Sequence, residues 1–351
     1  MEKFKNHLGN FFTPIYWNEK IAALELINQL ELPIKEEWIT CKTSQDSARA
    51  IKDMIVRGAP AIGITAAYGM AQAAREGMSF EKARDMFAKT RPTAVNLFWA
   101  LERCAETEWS FEAQLELAKR IHLEDYEMNL RIAENGANWL IKHWKSTGSL
   151  GKKTITVLTH CNTGALATGG WGTALGVIRT LHKMLTQMGK EFVVLADETR
   201  PYLQGARLTA WELLKEEIKH YVITDNMAAF FMKDVDAILV GADRIANNGD
   251  TANKIGTFQL SIVAKHFSVP FLIVAPTTSI DFSCPNGDSI PIEERSQEEV
   301  KFVKIAGERI QIAPSESLAR HPAFDVTPAE LITAIVTEKG VVKPNELRKV
   351  K

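Results

Sequence analysis

The sequence lacks the glycine patterns that usually mark nucleotide binding. No G-x-G-x-x-G opens a helix after a predicted strand, and no P-loop lysine follows a glycine-rich loop. It also lacks clustered metal ligands. Only His160 and Cys161 are adjacent, and neighbouring side chains of an extended chain point to opposite sides. We therefore expect no cofactor, whether a nucleotide or a metal ion.

Cysteine pairs, long apolar runs and excess charge are absent as well. The four cysteines, at positions 41, 104, 161 and 284, form no C-x-x-C pair, which is typical of free thiols in a reducing cytoplasm. No apolar run reaches membrane-spanning length, and the opening MEKFKNHLGN lacks the apolar core of a signal peptide. The formal net charge of -1 provides no basic surface for nucleic acid. We expect a cytoplasmic protein without membrane or nucleic-acid partners.

The length of the chain predicts two domains. Its 351 residues, of which 46% are hydrophobic, can bury a large core and exceed the usual size of one domain. We place the boundary in the polar, glycine-bearing segment around residues 145–153. Residues 1–145 are then an N-terminal, mainly helical domain with a few short strands. Residues 146–351 are a Rossmann-like domain, in which we expect the chemistry.

The second half alternates predicted strands with predicted helices, which favours an α/β fold with a doubly wound parallel sheet. The predicted strands are 155–158, 192–196, 221–224, 237–240 and 271–274. The helices between them are about 173–188, 205–218, 227–232 and 254–267.

The rest of the chain is predicted more coarsely. The N-terminal half has strands near 14–17 and 37–41 and helices at 46–56, 62–74 and 112–142, the last interrupted around Gly136. Ser44 is the expected N-cap of the first helix. At the other end, residues 328–339 fit an amphipathic helix capped by Thr327, and residues 345–351 are expected to be mobile.

A glycine-rich loop follows the first strand of the predicted sheet. His160, Cys161, Asn162 and Thr163 come first, glycines stand at 164, 169, 170 and 172, and a helix begins near residue 173. A loop that leads from a strand end to a helix start is where α/β sheets bind anions. The thiol at position 161 is therefore a candidate reactive group, although a small buried hydrophobe is the more usual role of a cysteine.

Two helix starts combine arginine with proline. In RGAPAIG at 57–63 the proline suits the first turn, so the N–H groups of Gly58 and Ala59 face the same space as the guanidinium of Arg57. Arg91 begins a similar stretch, RPTAVN at 91–96. Both arrangements suit a phosphate, and both also fit an ordinary helix start with an exposed arginine.

Polar side chains follow all five predicted strands. Beyond Cys161 they include Asp197, Glu198, Thr199, Arg200, Gln204, Asp225, Asn226, Asp243, Arg244, Asn253, Lys254, Thr277 and Thr278. Because the carboxyl ends of parallel strands meet at one edge of a sheet, this distribution predicts a shared pocket.

Within that set, Cys161 and Asp243 are the residues suited to proton transfer. A thiol near a helix N-terminus or a cation loses its proton more readily, and its pKa falls from about 8.5 to about 3.5–7.5. A carboxyl group in an apolar pocket keeps its proton at neutral pH. The two could act as base and acid on a phosphorylated small molecule. Asp243 fits the cap of a turn equally well.

Seven stretches resemble the methylthioribose-1-phosphate isomerases of methionine salvage, and the resemblance covers nearly the whole chain. They are VRGAPAIG at 56–63, RPTAVNLFWAL at 91–101, THCNTGALAT at 159–168, DETRPYLQGARLTAWEL at 197–213, TDNMAA at 224–229, GADRIANNGDTANKIGT at 241–257 and HPAFDVTPAELITAI at 321–335.

The resemblance implies an aldose–ketose isomerase that converts 5-methylthioribose 1-phosphate to 5-methylthioribulose 1-phosphate as a homodimer, without metal or nucleotide. Cys161 and Asp243 match the catalytic pair of that family. The implied substrate contacts are Arg57, Gly58, Ala59, Arg91, Gln204, Asn253 and Lys254. Neutral Asp243 would protonate the ring oxygen, and Cys161 as thiolate would take the proton from C2. A hydride shift, with the thiol only stabilising the transition state, stays open.

Two alternatives follow from the same resemblance. The chain departs from the family pattern at Thr163, Trp171 and His321, which leaves open a close relative that isomerises 5-deoxyribose 1-phosphate. A bisphosphate substrate would need a second cationic cluster, which the sequence lacks. The fold also serves regulatory subunits of the exchange factor for translation initiation, which are binding proteins. Those subunits generally lack the paired cysteine and aspartate.

Overall fold

The computed structural model describes residues 12–91, 94–305 and 308–351. The chain divides into two compact units, one comprising residues up to Asn129 with Thr163–Gly172, the other Leu130–Asn162 with Thr173–Lys351. The division falls inside a single unbroken helix, Phe111–Thr147. The boundary that the sequence analysis placed after residue 145 stays a prediction. No helix in the described ranges combines the length and the apolar composition needed to cross a membrane.

The first unit pairs a small antiparallel sheet with a set of helices. Its strands are β1 (Ile15–Asn18), β2 (Ala23–Ile27) and β3 (Trp38–Cys41), which pair in that order. Its helices are α1 (Ser44–Lys52), α2 (Ala59–Arg75), α3 (Phe80–Ala88), α4 (Val95–Ala105) and the first part of α5 (Phe111–Thr147). The alanine-rich α2 is buried along most of its length and lies in the core of this unit.

The second unit contains the remaining elements. Its strands are β4 (Thr154–Thr159), β5 (Glu191–Asp197), β6 (His220–Ile223), β7 (Ala237–Val240), β8 (Arg244–Ala246), β9 (Thr251–Lys254), β10 (Phe271–Val274), β11 (Ile280–Asp281), β12 (Phe302–Ile305), β13 (Glu308–Gln311), β14 (Phe324–Thr327), β15 (Ala334–Thr337) and β16 (Gly340–Val342). Its helices, after the end of α5, are α6 (Ala174–Gln187), α7 (Ala210–Lys215), α8 (Ala228–Phe231), α9 (Thr257–Phe267) and α10 (Glu298–Lys301).

A seven-stranded sheet with the order β16-β15-β10-β7-β4-β5-β6 organises this unit. Every neighbouring pair is parallel except β15 with β16. The sequences AILV of β7 and FLIV of β10 are buried at every position, as expected for central parallel strands covered on both faces. A four-stranded sheet with the order β11-β8-β9-β14 and the hairpin β12–β13 complete the unit. The predicted α/β class with a largely parallel sheet is confirmed.

The end of the chain differs from the sequence-based prediction, which was wrong there. Residues 328–339 are not a helix: β15 pairs in parallel with β10, and Thr327 ends β14 instead of capping a helix. The apolar run AIVT is short, β-branched and buried at every position, which favours a sheet. Residues 345–351 are not loose either, because a helical segment Pro344–Val350 buries Leu347 and Val350.

Two helix predictions also need correction. The N-cap of α1 is Thr43, whose hydroxyl accepts from the Asp46 N–H, whereas the Ser44 hydroxyl donates to Glu76 Oε2 at 2.6 Å. Helix α5 is not interrupted at Gly136. A Cβ there would lie 2.6 Å from Val177 Cγ2, so the glycine permits close packing against α6 instead of breaking the helix.

Helix α5 holds the glycine-rich loop within the first unit. The Asp125 carboxylate accepts a hydrogen bond from the Gly169 N–H at 2.6 Å, and His122 Nε2 lies 2.7 Å from the Gly169 carbonyl oxygen. Burial raises the pKa of Asp125 to about 7, although hydrogen bonds from Gly169 and Asn129 work in the opposite direction. The clamp on Gly169 thus depends on a carboxyl group that titrates near neutral pH.

We expect Asp125→Asn to remove one component of the pH dependence of stability. A carboxyl with a raised folded-state pKa binds more protons when folded, so wild-type stability falls as pH rises from about 4 to 7, by about 4 kcal/mol from this group. The difference in thermal midpoint between variant and wild type should shift in favour of the variant over that range and level off above pH 7. The exposed Glu127→Gln is the control. A difference independent of pH would contradict the assignment.

Candidate active site

The strand order brings the two predicted catalytic residues to neighbouring strand ends. Strand β4 lies between β5 and β7 and is parallel to both. The Thr159 hydroxyl donates to the Leu239 carbonyl at 2.8 Å and ties the ends of β4 and β7 together. Cys161 follows Thr159 by two residues, and Asp243 follows the end of β7 by three. Both therefore leave the sheet at the same edge.

Cys161 is a free cysteine held in an unusual backbone conformation. It is 6% exposed and has a φ of 62°, in the left-handed region that residues other than glycine rarely adopt. Its N–H donates to Thr199 Oγ1 at 2.8 Å, and its carbonyl accepts from Thr209 Oγ1 at 2.6 Å. The main chain on both sides of the thiol is thus fixed by side chains from other segments.

Asp243 lies in a different environment from the one expected. The residue is exposed, in the turn between β7 and β8, and its N–H donates to the Ala252 carbonyl at 2.9 Å. The apolar surroundings that the sequence analysis predicted for its carboxyl group are wrong for this structure.

The other candidates in the second unit are polar residues after β5 and in β9. Gln204 is buried just before the π-helical turn Gly205–Thr209, and within the described residues its Oε1 has no protein hydrogen-bond partner. The amide of Asn253, in β9, donates to Thr257 Oγ1 at 3.0 Å. Lys254 Nζ donates to the Ala323 carbonyl at 3.0 Å and lies 4.4 Å above the ring of Phe324. The unsatisfied acceptor of Gln204 suits a ligand hydroxyl, and the ammonium group of Lys254 suits an anionic group.

The candidates in the first unit lie at a helix start, as expected. Gly58 is the N-cap of α2 with a φ of 94°, Ala59 is the first helical residue, and Pro60 stands in the first turn. A Cβ at position 58 would lie 2.5 Å from the Ala167 carbonyl oxygen, so only glycine fits. Arg91 is half-buried and precedes positions 92 and 93, which lie outside the described residues.

A buried histidine–aspartate pair beside Cys161 escaped the sequence analysis. His160 Nδ1 lies 3.0 Å from Asp197 Oδ2, and His160 Nε2 donates to the Ile255 carbonyl at 2.9 Å. Burial opposes the imidazolium, but the hydrogen bond and the charge of Asp197 outweigh it and raise the pKa of His160. Each of the two residues can be recognised in the sequence as a polar residue at the end of a predicted strand. Their pairing depends on the order of β4 and β5 in the sheet, which the sequence does not state.

This pair and Asp225 form the one cluster in the described ranges whose donor atoms are close enough to hold a metal ion. Both nitrogens of His160 already have hydrogen-bond partners. Both oxygens of Asp225 accept backbone N–H groups, from Thr199 at 2.8 Å and Arg200 at 2.7 Å. Because these donor atoms are already used within the fold, we assign no metal to the cluster.

Comparison with known proteins identifies the family. The Initiation factor 2 subunit family matches residues 55–344. A methylthioribose-1-phosphate isomerase from Sulfurihydrogenibium sp. (strain YO3AOP1) is 50% identical over 334 residues, covering 93% of each chain. The crystal structure of 5-methylthioribose 1-phosphate isomerase from Pyrococcus horikoshii OT3 is 39% identical, with a TM-score of 0.84 over 100% of this chain and 98% of that one.

A second solved structure of similar likeness carries a different name. The structure described as translation initiation factor eIF-2B, subunit delta, from A. fulgidus is 41% identical, with a TM-score of 0.81 over 95% of this chain and 96% of that one. Curated relatives at about 50% identity from several organisms are named isomerases. The chain therefore belongs to the Initiation factor 2 subunit family and, within it, to the methylthioribose-1-phosphate isomerases.

Proposed function

We propose that this protein isomerises 5-methylthioribose 1-phosphate to 5-methylthioribulose 1-phosphate. The observation that carries the proposal is the placement of Cys161 and Asp243 at the ends of adjacent parallel strands, in a chain half identical to enzymes of that name. The deoxy-sugar alternative is not favoured, because the curated relatives are named for the methylthio sugar. The binding-subunit alternative is not favoured either, because the same relatives are named as enzymes. In addition, Cys161 and Asp243, the pair that binding subunits generally lack, are both present here.

The substrate presents a chemical difficulty that these two residues answer. Most aldose isomerases open the sugar ring by removing a proton from a free anomeric hydroxyl, but here a phosphate occupies that oxygen. The ring has to open by protonation of the ring oxygen while its bond to C1 breaks. An acid near the ring oxygen and a base near C2 are therefore both required.

We assign the acid role to Asp243 and the base role to Cys161. Asp243 protonates the ring oxygen as the bond to C1 breaks, and the Cys161 thiolate removes the proton from C2 to give an enol phosphate. The thiol then returns a proton to C1, and the proton of the C2 hydroxyl goes back to the Asp243 carboxylate as the ketone forms. Asp243 is exposed in this structure. Substrate that covers it would displace water and favour the neutral acid that the first step needs.

The proposed substrate contacts are those that the family resemblance implies. In the first unit these are the start of α2 with Arg57, Gly58 and Ala59, together with Arg91, where N–H groups and guanidinium charge suit the phosphate. In the second unit they are Gln204, Asn253 and Lys254, of which buried Gln204 has an acceptor unsatisfied by the described residues. We propose no metal and no nucleotide in this reaction.

The strand order of the second unit supports a finer assignment of its fold. Taken in chain order, its six parallel strands have the spatial order 3-2-1-4-5-6, which is that of doubly wound dinucleotide-binding proteins. We therefore propose a Rossmann-like catalytic domain preceded by a mainly helical one. The four free cysteines support a reducing compartment, the cytoplasm.

A homodimer is supported by one edge of the large sheet. Strand β6 ends the sheet, and its Tyr221 is 55% exposed. Val222 in the same strand and Phe230 in α8 are also exposed, the latter at 72%. An unpaired apolar edge strand promotes association unless another chain covers it. We propose that a second copy of the chain does so.

The catalytic assignment predicts that Cys161→Ser and Asp243→Asn each lower kcat by at least about 10²-fold, because each removes one proton-transfer group. The test is turnover of methylthioribose 1-phosphate, with circular dichroism to show that the fold is retained. The matched controls are Cys41→Ser, a buried cysteine of the first unit, and the exposed Asp288→Asn. Normal turnover in both site variants would refute the assignment.

Proton transfer through Cys161 predicts that product formed in deuterium oxide carries deuterium at C1. The thiol exchanges its proton with solvent, so the group returned to C1 should be solvent-derived in a measurable fraction of turnovers. Mass spectrometry and proton NMR of the product measure that fraction. Complete absence of deuterium would favour a hydride shift between C2 and C1.

The dimer proposal predicts that the wild-type protein sediments with twice the mass of one chain. The double variant Tyr221→Asp, Val222→Asp should sediment as a monomer, because two charges on the edge strand would be buried in the interface. Leu318→Asp, at a residue 92% exposed elsewhere in the unit, is the control and should remain dimeric. A monomeric wild type, or a dimer that survives the double variant, would contradict the proposal.

A further inference from the structure

The backbone of Cys161 needs support that its own residue type does not provide. With a φ of 62°, an L-residue other than glycine is in a disfavoured conformation, so neighbouring groups have to maintain it. The peptide groups on either side of its Cα are each bound by a threonine hydroxyl. These are Thr199 on the N–H side and Thr209 on the carbonyl side.

Thr199 comes from the loop after β5 and is itself fixed. Its hydroxyl accepts the Cys161 N–H and donates to the Asp197 carbonyl at 3.2 Å, so both functions of the hydroxyl are used. Its own N–H donates to Asp225 Oδ1 at 2.8 Å, and its side chain is fully buried. The hydroxyl therefore has one orientation, with its lone pair directed at Cys161.

Thr209 comes from the last position of the π-helical turn Gly205–Thr209 and is equally buried. Its hydroxyl donates to the Cys161 carbonyl and accepts from Asn162 Nδ2 at 3.3 Å. A π-helical turn often marks a functional position, because the extra residue changes the direction of the side chains that follow.

The residue after Cys161 is fixed by a buried ion pair. Asn162 Nδ2 donates to Glu212 Oε1 at 2.7 Å, and Glu212 Oε2 accepts from Arg179 Nη2 at 2.6 Å. All three side chains are buried. The side chains of a buried ion pair have well-defined positions, because separating them would leave two buried charges without a counter-charge. Residues 161 and 162 are thus fixed by Thr199 in the loop after β5 and by Glu212 in α7, and Arg179 of α6 fixes Glu212 in turn.

We propose that Thr199 and Thr209 are positioning residues that hold the main chain of Cys161 in the left-handed conformation and so aim its thiol for proton transfer. The inference rests on the proposed catalytic role of Cys161 and assigns two residues that act through it. If either hydroxyl is lost, the adjacent peptide group is free to turn toward the favoured negative φ. That rotation moves Cβ and the sulfur with it. A displacement of about 1 Å at a reacting group lowers the rate by about 10²-fold.

The test compares valine and serine at both positions. Valine keeps the shape of threonine without its hydroxyl, and serine keeps the hydroxyl. Thr199→Val and Thr209→Val should lower kcat by about 10- to 100-fold and leave KM within about threefold, since substrate contacts are unchanged. Thr199→Ser and Thr209→Ser should stay within about threefold of wild type. Thr180→Val, which removes a hydroxyl bonded to a helix carbonyl in α6, is the control.

The rate of Cys161 alkylation by iodoacetamide, measured from pH 6 to 9, is a second readout that does not depend on turnover. The valine variants should show an altered rate profile and the serine variants the wild-type profile. Alanine variants form a second series in case valine does not fold. Failure of both series to fold would overturn the inference, because the hydroxyls would then serve the stability of the fold and not the placement of the thiol.

The outcome separates this inference from the proposed function. If Cys161→Ser turns over normally, the catalytic role of Cys161 fails whatever the threonine variants do. If Cys161→Ser is inactive while both valine variants keep wild-type kcat and alkylation rate, the positioning role alone is overturned. If the serine variants lose as much kcat as the valine variants, the hydroxyls are not responsible and the inference is likewise overturned.

Discussion

The parallel pairing of β4 between β5 and β7 is the constraint on which the candidate site depends. Because the three strands run in the same direction, the residues that follow them all leave at one edge. Cys161 and Asp243 come from segments that are far apart in the chain. Thr159 and Leu239, which are hydrogen-bonded near the ends of the two strands, are separated by 80 residues. An antiparallel arrangement of β4 and β7 would send Cys161 and Asp243 to opposite edges. The chemistry proposed above requires the parallel one.

Around that edge, two pairs of buried charged groups have a structural role. His160 with Asp197, and Arg179 with Glu212, are buried and bonded to each other. An isolated buried charge would be costly, so these groups hold segments together. Asp243 is exposed instead. An exposed carboxyl group can change its protonation state during a reaction without the desolvation cost that a buried charge carries.

Much of the fold was predictable, because buried parallel strands have a distinctive composition. Each of the five strands predicted in the second half occurs, and Cys161 and Asp243 stand at strand ends as expected. The prediction failed where one pattern fits two structures. The run AIVT suits a helix face as well as a buried strand, and only its pairing with β10 decides between them. The hydrogen bonds of Thr199 and Thr209 with Cys161 could not be predicted either. The residues next to a threonine in the chain do not indicate which distant loop its hydroxyl will contact.

The central claim is that Cys161 and Asp243 act on one sugar phosphate from the ends of adjacent strands. A crystal structure with the product bound tests this most directly. The account predicts the Cys161 sulfur within about 3.5 Å of the C1–C2 bond and the Asp243 carboxyl group within hydrogen-bonding distance of the former ring oxygen. A product bound with either group facing a different cavity, or with the thiol turned into the core, would contradict it.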